Sequence, residues 1–105
     1  MIKKLSIISV FGILSFSALH AQTTVYAYLK DFNGKPVESA EVDLKDSSND
    51  VTADKIGYFQ FVDVKPGRYQ ITISKPGFDD KIVNFDVPAN EKRKDLGTIV
   101  LVPAS

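Results

Sequence analysis

Beyond residue 22 apolar and polar residues alternate with a period of two, the spacing of strands that bury one face. Val25, Ala27 and Leu29 share one side of a first strand, with Tyr26, Tyr28 and Lys30 on the other. Ala40, Val42 and Leu44 repeat the inward set against Glu41, Asp43 and Lys45. A short strand around Val51 to Ala53 precedes one over Tyr58 to Val62, in which Phe59 and Phe61 face inward. Tyr69, Ile71 and Ile73 continue the pattern, as do Val83, Phe85 and Val87. Ile99 and Leu101 close it in a last strand, after a long polar connection from Pro88 to Asp95. The pattern predicts an all-β fold, a Greek-key sandwich of about seven antiparallel strands, with a small barrel as the alternative.

The connections carry their own signals. Asp31, Phe32, Asn33 and Gly34 form a turn in which the Asp carboxylate accepts backbone N–H groups and Gly takes a left-handed conformation. Asp54 with Gly57, Pro66 with Gly67 and Pro76 with Gly77 mark further reversals, each followed by an aromatic residue: Phe59, Tyr69 and Phe78. Phe78 is expected to cover the sandwich edge and Phe32 to stand exposed at a turn tip.

The first residues read differently. Lys3 and Lys4 precede an apolar run from Leu5 to Leu19, and His20 and Ala21 follow. The run is about 15 residues, short of the roughly 20 a spanning helix needs, so an export signal cleaved after Ala21 is expected and not a membrane anchor. The domain is then 22–105, and the destination is the periplasm or the exterior. Loss of Lys3 and Lys4 leaves 11 basic against 13 acidic residues. That balance argues against a nucleic-acid footprint or a basic helix on a lipid surface. The chain has no Cys, and its single His and single Met both fall before residue 22, so apolar packing without disulfides must hold the domain.

With Asp31, Asn33, Gly34, Pro36 and Val37 at the first turn, Ala40 and Val42 in the second strand, and Thr52, Asp54, Gly57 and Phe59 next, the chain resembles the carboxypeptidase regulatory-like domain. Gly67, Tyr69, Pro76, Gly77, Phe78, Gly97, Ile99 and Leu101 extend the resemblance across nearly all of residues 22–105. It implies a transthyretin-like sandwich of the kind appended to peptidases, receptor barrels or glycan-processing proteins in exported bacterial proteins, and it brings no catalytic residues.

Two relatives of that fold do chemistry. The hydroxyisourate hydrolases use histidines, an arginine and a Tyr-Arg-Gly-Ser tail; this chain has no His after residue 20 and ends Val102, Pro103, Ala104, Ser105. The collagen-adhesin repeat forms a Lys–Asn isopeptide bond assisted by a buried Glu, and the matching position, counted from Gly67, is Ile73, which cannot shuttle a proton. A non-catalytic protein without cofactor is therefore expected. Calcium is the cation that Asp31, Asp46, Asp50 and Asp54 offer oxygen ligands for, but their spacing matches no calcium loop and turn capping is their ordinary use. Lys92, Arg93 and Lys94 read as solvated loop residues.

Exposed aromatics are the remaining candidates. Tyr26, Tyr28, Phe32 and Tyr58 are the expected contact residues, for a protein of the envelope or exterior or, as the alternative, for a glycan stacked on the rings. Cross-strand packing on the solvent face competes with both, at roughly 0.2–1 kcal/mol per pair.

Overall fold

The computed structural model describes residues 22–104, so the export signal and its cleavage after Ala21 lie outside the described residues. Seven strands are present: β1 (Thr23–Asp31), β2 (Glu41–Leu44), β3 (Asp50–Thr52), β4 (Tyr58–Val64), β5 (Gly67–Ser74), β6 (Lys81–Val87) and β7 (Arg93–Leu101). They form a three-stranded sheet, β4-β1-β7, and a four-stranded sheet, β3-β2-β5-β6. After β1 the chain crosses to the second sheet, makes the β2–β3 hairpin, and returns as β4 antiparallel to β1. This is the expected Greek-key crossover.

Alternation along each strand places the apolar set between the sheets. Val25, Ala27 and Leu29 are fully buried, and Val42, Ile71 and Ile73 meet them from the facing sheet. Phe59 and Phe61 add the largest inward surfaces of β4, their rings edge to face at 6.2 Å. Burying a side chain of this size stabilises the fold by roughly 1.5–3 kcal/mol, which is how a domain without disulfides holds together. Phe78 is partly buried against this core and its backbone bridges Pro103, so it does cover an edge.

Two features depart from the sequence reading. The pairings are antiparallel except one: β7 runs parallel to β1. The reason is the path of the chain, since β6 ends at the end of the sandwich where β1 begins, and the short link to Arg93 crosses sheets there before β7 sets off in the direction of β1. The last strand also starts at Arg93, well before Ile99. Arg93, Lys94 and Asp95 lie along β1 although none of them supplies an apolar inward side chain, so the period-two signal is missing where the ladder continues.

Two Asp turns lie at one end of the sandwich and are built alike. Asp31 Oδ1 accepts the N–H groups of Asn33 and Lys35 at 2.9 and 3.0 Å, and Asp54 Oδ1 accepts those of Ile56 and Tyr58, both at 3.0 Å. Gly34 and Gly57 then take φ of 83° and 80°, a region side chains disfavour. They differ in surroundings: Gly57 is pressed against Leu29, whose N–H donates to the Gly57 carbonyl at 2.8 Å, whereas Gly34 has open space around it.

Candidate functional site

Because Val25, Ala27 and Leu29 occupy the inner face of β1, Tyr26 and Tyr28 project from its outer face. Register does the rest: Tyr28 pairs with Tyr58 of β4, and Tyr26 with Gln60. The Tyr28 and Tyr58 rings lie 5.2 Å apart, tilted by 56°, and Tyr26 and Tyr58 are 6.2 Å apart, tilted by 36°. The Tyr58 hydroxyl donates to Gln60 Oε1 at 2.7 Å. From β7, on the other side of β1, Arg93 lays its guanidinium over the Tyr26 ring, 4.4 Å from the centroid. The neighbouring Tyr26 raises the pKa of this arginine, a group that is cationic in proteins in any case.

Three of the four expected contact residues thus form one band on the outer face, Tyr28 exposed and Tyr26 and Tyr58 half-buried, and the fourth does not join it. Phe32 is 65% exposed at the tip of the first Asp turn and makes no ring pairing among the described residues. Arg93 and Gln60 are members that the sequence did not reveal. The sequence places Arg93 in a solvated loop; it lies in β7, and only the parallel register with β1, Arg93 opposite Thr24, brings it to Tyr26.

The carboxylates serve other ends. Asp31 and Asp54 cap turns at one end of the sandwich, while Asp46 and Asp50 lie by the β2–β3 turn at the other, so the four do not converge. Among the described residues no group of three or more His, Cys, Asp or Glu is placed to hold a metal ion. Asp43 faces Asp50 across β2 and β3. A hydrogen bond between these two carboxyl groups, followed by their charge repulsion, pushes the Asp43 pKa up. An open cleft of about 900 Å³ lies at the β2–β3 end, with Leu44, Tyr69 and Phe85 in its lining. The Tyr69 and Phe85 rings are stacked at 5.7 Å, and the Tyr69 hydroxyl donates to the Lys65 carbonyl at 2.5 Å.

This architecture, two sheets of three and four strands around one core with an all-β chain path, defines the transthyretin-like class of β-sandwich. The model of the carboxypeptidase regulatory-like domain matches residues 24–102, and the chain belongs to that family. A comparison with curated proteins gives no match. Among solved structures, one of a type II cohesin–X–dockerin complex from Acetivibrio cellulolyticus aligns with a TM-score of 0.62 at 21% identity, over 75% of this chain and 56% of that one. The 5-hydroxyisourate hydrolase of Klebsiella pneumoniae gives 0.55 at 17% identity, over 79% of this chain and 89% of that one. The major pilin subunit BcpA of Bacillus cereus gives 0.57 at 18%, over 75% of this chain and 29% of that one. At these identities the likeness is one of fold, and this chain spans little more than half the length of the cohesin–X–dockerin chain it matches.

Proposed function

We propose that this chain is an exported, non-catalytic module of the bacterial envelope, periplasmic or secreted, that works by protein contact through the face carrying Tyr26, Tyr28, Tyr58 and Arg93. The observation that carries the reading is that band of three tyrosines with an arginine over one ring. Tyr and Arg are, with Trp, the residue types most enriched where protein interfaces concentrate their binding energy, because they bury much surface while keeping a polar end. The fold also occurs in chains of a cohesin–X–dockerin complex and a pilin, proteins whose own names speak of assembly. A saccharide platform is the lesser fit: it asks for rings in one uncovered plane, whereas these are inclined to one another by 36° and 56° and Tyr26 is covered by Arg93. Absence of His and Cys beyond residue 20 supports the non-catalytic part of the reading.

The test is cross-linking of the full chain in its own envelope, with a photoreactive residue at Thr98, opposite Tyr28 on β7. A reproducible protein adduct is expected, lost in Tyr28→Ala with Tyr58→Ala. No adduct in any envelope fraction would count against protein contact, and retention on immobilised glycans abolished by Tyr26→Ala with Tyr28→Ala would replace it with saccharide binding.

A further inference from the structure

The two sheets leave four free edges, and three of them are blunted. β3 is only three residues long, with Asp50 at its start. On β4 the register slips between Thr23 and Val25 of its partner, and Asp63 takes a left-handed φ of 58° in the resulting bulge. On β7 the register slips at Gly97, which has φ of 77°, and the strand opens with Arg93, Lys94 and Asp95. Short strands, bulges and charges are the devices by which edges avoid further pairing.

β6 lacks the first two, and its charges, Lys81 and Asp86, stand near its ends. Residues 102–104 close only the segment before it, where Asp79 N–H donates to the Val102 carbonyl at 2.9 Å and Ala104 N–H to that of Gly77 at 3.0 Å. The seven residues of β6 pair with β5 without interruption from Gly67 opposite Val87 to Ile73 opposite Lys81, and no proline, bulge or left-handed residue breaks the strand. In a regular antiparallel ladder every other residue of the outer strand then points its N–H and C=O away from the sheet. The side chains beside that row are receptive: Ile82 is 57% exposed on the outer face, and Val83 is only partly buried on the inner one.

We propose that the free edge of β6 accepts an extended segment of a partner protein as an added strand. This rests on the reading of the chain as a protein-contact module, and it supplies a second contact region, distinct from the tyrosine face. Such addition takes its affinity from main-chain hydrogen bonds and its selectivity from alternate side chains. The segment that fits has β-branched or other apolar residues at alternate positions, continuing the inner row of Val83 and Phe85. It also carries a basic residue beside Asp86, whose present partner Arg68 lies 3.6 Å away on the exposed surface. A second copy of this chain fits less well. The two-fold pairing that keeps all seven residues of the strand, centred on Asn84, sets Ile82 against Asp86 on both sides.

The probe is a display library of random linear peptides selected on the full chain. Selected peptides are expected to alternate apolar residues, to slow amide hydrogen exchange along β6, and to lose roughly tenfold or more in affinity for the variant Ile82→Lys with Asn84→Lys, lysines being the natural edge blocker. An unchanged urea midpoint shows that the variant is folded. Peptides that bind the variant equally, that protect β4 or β7 instead, or failure to select any, would each overturn the proposal. So would a dimer in sedimentation that the variant dissolves, which assigns the edge to a second copy. If these outcomes occur while the cross-link at the tyrosine face persists, the β6 proposal falls and the protein-contact reading stands.

Discussion

Replacing Gly57 by Ala separates two costs that usually arrive together. Gly34 and Gly57 occupy the same position of like turns, with φ of 83° and 80°. An added Cβ at Gly34 has nothing within 4 Å, so Gly34→Ala carries only the conformational penalty, roughly 1–2 kcal/mol. At Gly57 the Cβ falls inside van der Waals contact with the Leu29 carbonyl oxygen and 3.2 Å from both the Leu29 carbonyl carbon and nitrogen. Backbone cannot swing aside as a side chain does. Relief requires shifting Leu29, which strains its N–H bond to Gly57 at 2.8 Å and the bond its carbonyl accepts from Val37 at 3.0 Å. With about 1 kcal/mol for each of these hydrogen bonds, Gly57→Ala is expected to cost about 3–4 kcal/mol, some 2 kcal/mol more than Gly34→Ala. For a domain of this size that gap is about 8–16 °C in Tm. Urea and thermal unfolding of the two variants side by side measure it. Equal losses would refute the close approach of the second turn to β1.

Three further outcomes are expected. Asp54→Ala, which removes the acceptor of two backbone N–H groups at 3.0 Å, should cost about 1–2 kcal/mol in urea unfolding, and Asp54→Asn should recover most of it because one oxygen suffices. A raised carboxyl pKa means that the folded state holds its proton more tightly, so the contribution of Asp43 is favourable below the ordinary carboxylate range and is lost as pH rises through its folded value. Asp43→Asn should therefore raise the urea midpoint near neutral pH by more than it does in acid, and an equal change at both would contradict the repulsion from Asp50. In a double-mutant cycle, Tyr28→Ala and Tyr58→Ala should couple by about 0.2–1 kcal/mol, a cross-strand value, and a coupling of zero would mean that the 5.2 Å ring contact contributes nothing.

The sandwich was legible because nearly every strand buries one face. Val25 to Leu29, Tyr69 to Ile73 and Val83 to Val87 alternate cleanly, and each appears as a strand with the expected residues inward. The opening half of β7 was not legible, because Leu96 is its one apolar side chain against the core and a single residue sets no period. The tyrosine band was half legible. Outward positions of Tyr26, Tyr28 and Tyr58 follow from parity along their own strands, but their meeting depends on register between strands, and Arg93 joins only through a parallel pairing that local sequence does not encode.

That pairing also sets the order in which the protein can become stable. β1 is the central strand of its sheet, and its partners on β7 are 69 or 70 residues later in the chain, from Thr24 with Arg93 to Asp31 with Leu101. A chain emerging with its amino end first leaves β1 with one side unpaired, and its core without Ile99 and Leu101, until almost the whole domain is available. The entropy of closing so long a loop is met only when these last contacts form, which favours slow, all-or-none folding over growth from the leading end. Stability thus arrives late, so a chain threaded lengthwise through a narrow channel stays pliable until its final strand is through.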